Sequence, residues 1–147
     1  MSNGNILTDV GRALTTGKIK GVGSGIGFLE PKYIGVGTGT TTPAVGQTAL
    51  VTEDYTTTND GTRALRVTGT SSQATVNVLN DTYQVVGTVT AQHIMAVTEA
   101  GLFDTNGQAT NTTTAPSGGN MYMRTVFSVI NLAAADTLQL TLGNTYA

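Results

Sequence analysis

Hydrophobic and polar residues alternate in short runs after residue 32, which is the pattern of half-buried β-strands. The clearest run is residues 136–142, where Leu138, Leu140 and Leu142 share one face and Gln139 and Thr141 the other. Turn-forming residues (Asn, Asp, Gly, Pro) separate the runs. Further strands are predicted at residues 33–36, 63–70, 74–79, 82–91, 93–104 and 120–130. The sequence therefore predicts an all-β fold, a single jelly-roll-like β-sandwich formed by residues 31–147.

The first thirty residues have a different pattern and are predicted to form a separate N-terminal arm. Residues 21–28 alternate glycine with small or apolar residues and cannot build a core, so they are predicted to be extended. Before them lies one apolar stripe at helical spacing, which predicts at most one short helix. Its residues are Ile6, Leu7, Val10, Ala13 and Leu14. A helix this short needs a partner surface, which is either another protein or the chain's own body.

Composition supports a strand-rich chain, because 29 of the 147 residues are the β-branched threonine and only 11% are charged. The net charge of −2 does not favour nucleic-acid binding. The charge is uneven, since Arg12, Lys18, Lys20 and Lys32 make the first 32 residues positive. The arm therefore either lies on an acidic surface or is simply solvated.

Two further observations narrow the compartment. There is no cysteine, so no disulfide can form, and no apolar run approaches the roughly 18 residues of a membrane span. No secretory signal pattern begins the chain, which predicts a protein made in the host cytoplasm with no membrane partner.

The segment PKYIGVGTGTTTPAVGQTALVTE (residues 31–53) carries glycines at alternate positions, as phosphate-binding loops often do. No Gly-Lys-Ser/Thr ending follows, and threonine and Pro43 stand where a dinucleotide-binding motif needs a helix. Nucleotide binding is therefore not predicted. Gly35, Gly37 and Gly39 are interpreted as a strand edge whose bare backbone lets another chain approach closely.

Chemistry-bearing residues are few. His93 is the only histidine, and no G-x-S-x-G motif or second metal-binding side chain accompanies it, so it is interpreted as a sheet or interface residue. Glu53, Asp54 and Asp60 form no calcium-loop pattern. Glu99 and Arg124 each stand inside an apolar run, where a lone charge is costly, so a structural salt bridge between them is predicted. No catalytic residue, metal site, cofactor or small-molecule substrate is predicted.

The order of these segments resembles a diffuse group of tailed-bacteriophage virion proteins. ILTDVGRAL leads to the glycine–threonine segment, then to VTEAGLFD, and finally to MYMRTVFSVINLAAADTLQLTLG. Related segments occur in capsid cement (decoration) proteins and in tail-fibre or baseplate modules. The resemblance implies a β-sandwich that assembles as a homotrimer and has no enzymatic activity.

On this resemblance, the leading hypothesis is a cement protein on the phage head surface that staples neighbouring copies of the major capsid protein. The capsid contacts are then expected from the arm residues Ile6, Leu7, Val10, Arg12, Leu14, Lys18 and Lys20. The alternative is a tail-fibre or baseplate module for host attachment, in which Tyr55, Tyr83 and Tyr122 are the available stacking groups. A small hydrolase that uses His93 is a third, less favoured hypothesis.

Overall fold

A computed structural model describes residues 5–8, 28–77, 79 and 82–146 of the chain. All regular elements in these ranges are β-strands, so the all-β prediction is confirmed. The strands are β1 (Ile6–Leu7), β2 (Tyr33–Gly37), β3 (Glu53–Asp54), β4 (Val67–Thr68), β5 (Thr70–Ala74), β6 (Thr82–Thr90), β7 (Met95–Phe103), β8 (Met121–Leu132) and β9 (Thr137–Thr145).

The strands form two antiparallel sheets, consistent with the predicted sandwich. The larger sheet has six strands in the order β1-β8-β7-β2-β3, with β4 also paired to β2. The smaller sheet has the order β5-β6-β9. Two short connections link the sheets: Gly69 joins β4 to β5, and residues 133–136 join β8 to β9. Chain neighbours therefore face each other across the core.

The main hydrophobic core lies between the two sheets. The larger sheet contributes residues such as Ile34 and Leu102, and the smaller sheet contributes Val85, Val89 and Leu142. Gly87 permits this close packing, since a Cβ atom there would lie 2.8 Å from the Cδ1 atom of Ile34. The glycine keeps a regular pairing with Leu140, so it marks a close approach of the sheets and not a bulge.

A second, smaller core covers the opposite face of the larger sheet. It consists of Leu50, Phe103 and Met121 with the half-buried Tyr33 packed against them. Leu50 belongs to the chain between β2 and β4, residues 38–66, which contains only the two-residue strand β3. The larger sheet is therefore buried on both faces, by the smaller sheet and by an irregular layer.

A register shift in β7 directs side chains to these two cores. Val97 pairs with Ile130 and Glu99 pairs with Val126, so the shift lies between Val97 and Glu99. Val97 packs in the main core. Glu99 lies against the glycines of the other face. Bulges re-aim side chains in this way. The bulge predicted at Gly101 is wrong, because Gly101 pairs regularly with Arg124.

Two predicted strands differ from the structure. β5 ends at Ala74 and pairs antiparallel with Thr82, so the chain between them must reverse, and the predicted strand at 74–79 is wrong. Accordingly, Val76 and Leu79 are 62% and 78% exposed. The predicted strand at 63–70 is broken, since regular pairing begins only at Val67.

The helix predicted to begin at Ile6 is also wrong at its start. Ile6 and Leu7 form β1, which pairs antiparallel with Arg124 and Met123 of β8. A short apolar run fits either a strand or a helix, and here the open edge of β8 decides. The rest of the predicted stripe lies outside the described residues.

Truncation of Leu142 tests the main core. We expect Leu142→Ala to lower the free energy of unfolding by about 2–5 kcal/mol, because the side chain is 3% exposed and leaves a cavity. Leu79→Ala is the matched control and should change it by less than about 0.5 kcal/mol, since that leucine is exposed. Urea unfolding followed by circular dichroism measures both, and equal losses would contradict the core described here.

Candidate functional site

The carboxylate of Glu99 is the most densely hydrogen-bonded side chain on the outer face of the larger sheet. It accepts hydrogen bonds from the backbone N–H groups of Gly39 (3.1 Å), Val51 (3.2 Å) and Thr52 (2.8 Å). Arg124 Nε donates to the other side of the same group at 2.7 Å. Neither side chain of this ion pair is more than 1% exposed. Four donors leave this carboxylate engaged as a structural acceptor.

Arg124 extends the same network into the irregular layer. Its Nη1 atom donates to the carbonyl of Thr41 at 2.8 Å and to Oε1 of Gln47 at 3.1 Å. Its Nη2 atom is buried and has no hydrogen-bond partner in the described structure. Glu99 and Arg124 are the two residues that the sequence analysis joined in a salt bridge, and together they hold residues 39–52 onto the sheet.

The three alternating glycines make room for these side chains. A Cβ atom at Gly35 would lie 2.6 Å from Oε1 of Glu53, and one at Gly39 would lie 2.5 Å from Oε1 of Glu99. At Gly37 it would lie 2.2 Å from the backbone oxygen of Thr52. β2 is an inner strand, paired with β7 on one side and with β3 and β4 on the other. The interpretation of the glycines as an edge for another chain is therefore wrong: the groups that approach are the chain's own.

A second buried ion pair lies further along the same face. Arg66 Nε and Nη2 donate to the two carboxylate oxygens of Glu53 at 2.7 and 2.9 Å. The guanidinium also lies over the Phe103 ring, 3.4 Å from its centroid, and donates to the carbonyl of Gly118 at 2.8 Å. Burial raises the pKa of Glu53 and outweighs the lowering by Arg66. The pair joins the two irregular segments, 38–66 and 104–120.

Sequence reasoning missed this second pair. Arg66 stands between Leu65 and Val67, much as Arg124 stands between apolar neighbours, and this context could have identified it as a buried cation. Glu53 gave no such signal, because it precedes Asp54 in a polar stretch.

His93 lies in the connection between β6 and β7, not within a strand. Its ring stacks on Tyr55 with centroids 4.4 Å apart, and its Nε2 atom is 3.1 Å from Oδ2 of Asp54. The buried Nδ1 atom has no partner in the described residues. These contacts attach the β6–β7 connection to β3 and the residue that follows it.

The arm residues named from the sequence are only partly described. Ile6 and the backbone of Leu7 lie against β8, as part of the chain's own sheet. Val10, Arg12, Leu14, Lys18 and Lys20 lie outside the described residues. No helix in the described ranges could cross a membrane. Those ranges also contain no group of three or more His, Asp or Glu side chains placed to hold a metal ion.

The segment from residue 9 to 27 is attached to the body at both ends. Before it, Thr8 is buried and its Oγ1 donates to the carbonyl of Met121 at 2.6 Å. After it, Phe28 packs on the main core and the N–H of Leu29 donates to Asp104 at 3.4 Å. Met121 begins β8 and Asp104 follows β7, so both attachments are at one end of the larger sheet.

Comparison of the chain with protein-family models, with curated proteins and with solved structures finds no match. The functional argument therefore depends on the chain's own residues.

A methyl group on β2 tests whether the glycines are needed for the chain's own layer. We expect Gly37→Ala to lower the free energy of unfolding by at least about 1–3 kcal/mol, since its Cβ would overlap the Thr52 carbonyl. Gly46→Ala is the control, because nothing lies within 4 Å of its Cβ position. It should be neutral or stabilising by up to about 1 kcal/mol. Chemical denaturation of both variants decides the matter, and an unchanged Gly37→Ala would contradict the packing.

Removal of one partner tests the buried ion pair. We expect Arg124→Met to cost about 3–5 kcal/mol, because it leaves the Glu99 carboxylate buried without its cation. Arg63→Ala, which breaks an exposed pair with Asp60, should cost less than about 1 kcal/mol. Thermal and denaturant unfolding measure both variants. A loss at Arg124 no larger than that at Arg63 would show that the pair does not hold the layer.

Proposed function

We propose that this protein is a structural virion protein of a tailed bacteriophage, a capsid cement protein that binds the outside of the head. The resemblance of its segments to that group supports the proposal. The observation that carries it is the attachment of residues 9–27 to one end of the larger sheet through Thr8 and Leu29. A folded body thus holds a 19-residue segment in place at both of its ends.

The charges of the chain fit a partner-binding role for this segment. Residues 9–27 contain Arg12, Lys18 and Lys20 against Asp9, a net charge of +2, whereas residues 28–147 carry −4. Each contact with a capsid subunit is weak by itself, since few charges are involved. Binding of many copies over a lattice makes such contacts effectively permanent. The segment is the proposed clamp, and the body is the proposed support over junctions between capsid subunits.

The body supplies rigidity for this role. Both faces of its larger sheet are covered, and two buried Glu–Arg pairs fix the irregular layer. We propose no catalytic step, because the best-ordered polar side chains, Glu99 and Arg66, are consumed by contacts within the chain. The tail-fibre or baseplate alternative differs in copy number: a cement protein is present in hundreds of copies per particle, and a tail module in a few.

Neutralisation of the segment tests the clamp. We expect the triple variant Arg12→Ala, Lys18→Ala, Lys20→Ala to bind empty capsids at least tenfold more weakly, because it loses the three basic groups that face the partner. The body should keep its unfolding temperature. Arg63→Ala is the control for a basic residue on the body surface and should bind normally. Co-sedimentation with capsids that lack this protein measures binding, and full decoration by the triple variant would refute the clamp.

A further inference from the structure

Strand β9 forms one edge of the smaller sheet. It pairs with β6 in an unbroken register from Thr137 to Thr145. On its other side, no strand of the described residues pairs with it. The contact shown there is near its end, where Asn5 Nδ2 donates to the carbonyl of Gly143 at 2.7 Å. Residues 137–142 therefore present an open strand edge.

The backbone groups on this edge can be assigned from the ladder. The N–H of Ala91 donates to the carbonyl of Asp136 at 2.9 Å, one position before β9 in the same register. Residues of an antiparallel pair alternate between facing the partner and facing away. The N–H and C=O groups of Leu138 and Leu140 thus face β6, whereas those of Thr137, Gln139 and Thr141 face outward. The acceptor role of Gly143 agrees with this alternation.

The edge lacks the features that usually prevent strand pairing. Proteins protect exposed edges with charged residues, prolines or bulges, and Thr137–Thr145 contains none of these. The core beneath it is also incompletely covered, since four apolar side chains along this side of the sandwich are only partly buried. These are Phe127, Ile130, Leu138 and Leu140.

The edge is complementary to itself. If two β9 strands run antiparallel about a two-fold axis at Gln139, Gln139 meets its own copy and Thr137 meets Thr141. All of these are outward-facing residues, as hydrogen-bonded pairs require. On the core face, Leu138 meets Leu140. A two-fold contact brings each side chain near its own copy, so a charge at its centre would be repelled. After Arg124, Asp136 is the only charged residue of the chain.

We propose that a second copy of this chain binds here, pairing its own β9 with this edge. The two three-stranded sheets then form one six-stranded sheet across the dimer, and the apolar side chains at the edge become covered. This pairing closes after two chains, so it differs from the homotrimer that the resemblance implies. It does not depend on the proposed capsid function, because it is measured on the isolated protein.

Proline at the edge tests the pairing. Thr141→Pro removes an outward N–H group but no bond to β6, a position where edge strands tolerate proline. By light scattering after size exclusion, the full chain should have twice its 15.1 kDa mass, and Thr141→Pro should have 15.1 kDa with an unchanged circular dichroism spectrum. Thr141→Val keeps the N–H group and should remain dimeric. A wild-type chain that is monomeric at millimolar concentration, or trimeric, overturns the proposal.

A charge exchange at Gln139 decides the case if the proline variant fails to fold. Gln139→Lys and Gln139→Glu each place like charges on the two-fold axis, and both should dimerise at least severalfold more weakly than the wild type. An equimolar mixture of the two should recover the dimer, because opposite charges then meet. Recovery supports the two-fold pairing, whereas two variants that both remain fully dimeric, or a mixture that stays monomeric, overturn it.

Discussion

The contact between Glu99 and Arg124 is the interaction on which the outer half of the structure depends. Burying two charges is costly, and their attraction offsets this cost only if the remaining donors and acceptors are also satisfied. Here the carboxylate receives three backbone N–H groups from residues 39–52, and the guanidinium donates to Thr41 and Gln47. The same bonds that satisfy the pair therefore determine the course of a segment that has little regular structure of its own.

This arrangement explains why glycine recurs along β2. A carboxylate that lies flat on a sheet needs the volume that a neighbouring side chain would take, and Gly37 and Gly39 leave that volume free. Glu53 uses Gly35 in the same way. The glycines and the buried acids thus form one packing unit, although they are separated by up to 60 residues in the chain. A motif that is typical of phosphate loops here accommodates acidic side chains from the same protein.

The two sheets were largely predictable, whereas the irregular layer was not. Alternation predicted β8 and β9 well, because each exposes one side and buries the other along most of its length. Residues 38–66 have no periodicity, since tertiary hydrogen bonds and not local pattern place them. The Glu99–Arg124 pair was foreseeable because both charges interrupt apolar runs. Glu53, in a polar context, gave no such sign, and the turn at Val76 and Leu79 looked apolar enough to be a strand.

The attachment of residues 9–27 at both ends has a mechanical consequence. A pull on that segment is transmitted through β1 to β8 on one side and through Leu29 and Asp104 to the end of β7 on the other. These two strands are neighbours inside the larger sheet, bonded to each other along most of their length. Tension is thus divided between two adjacent strands that must shear together, instead of peeling one strand from an edge. The body can therefore bear load where it holds the segment.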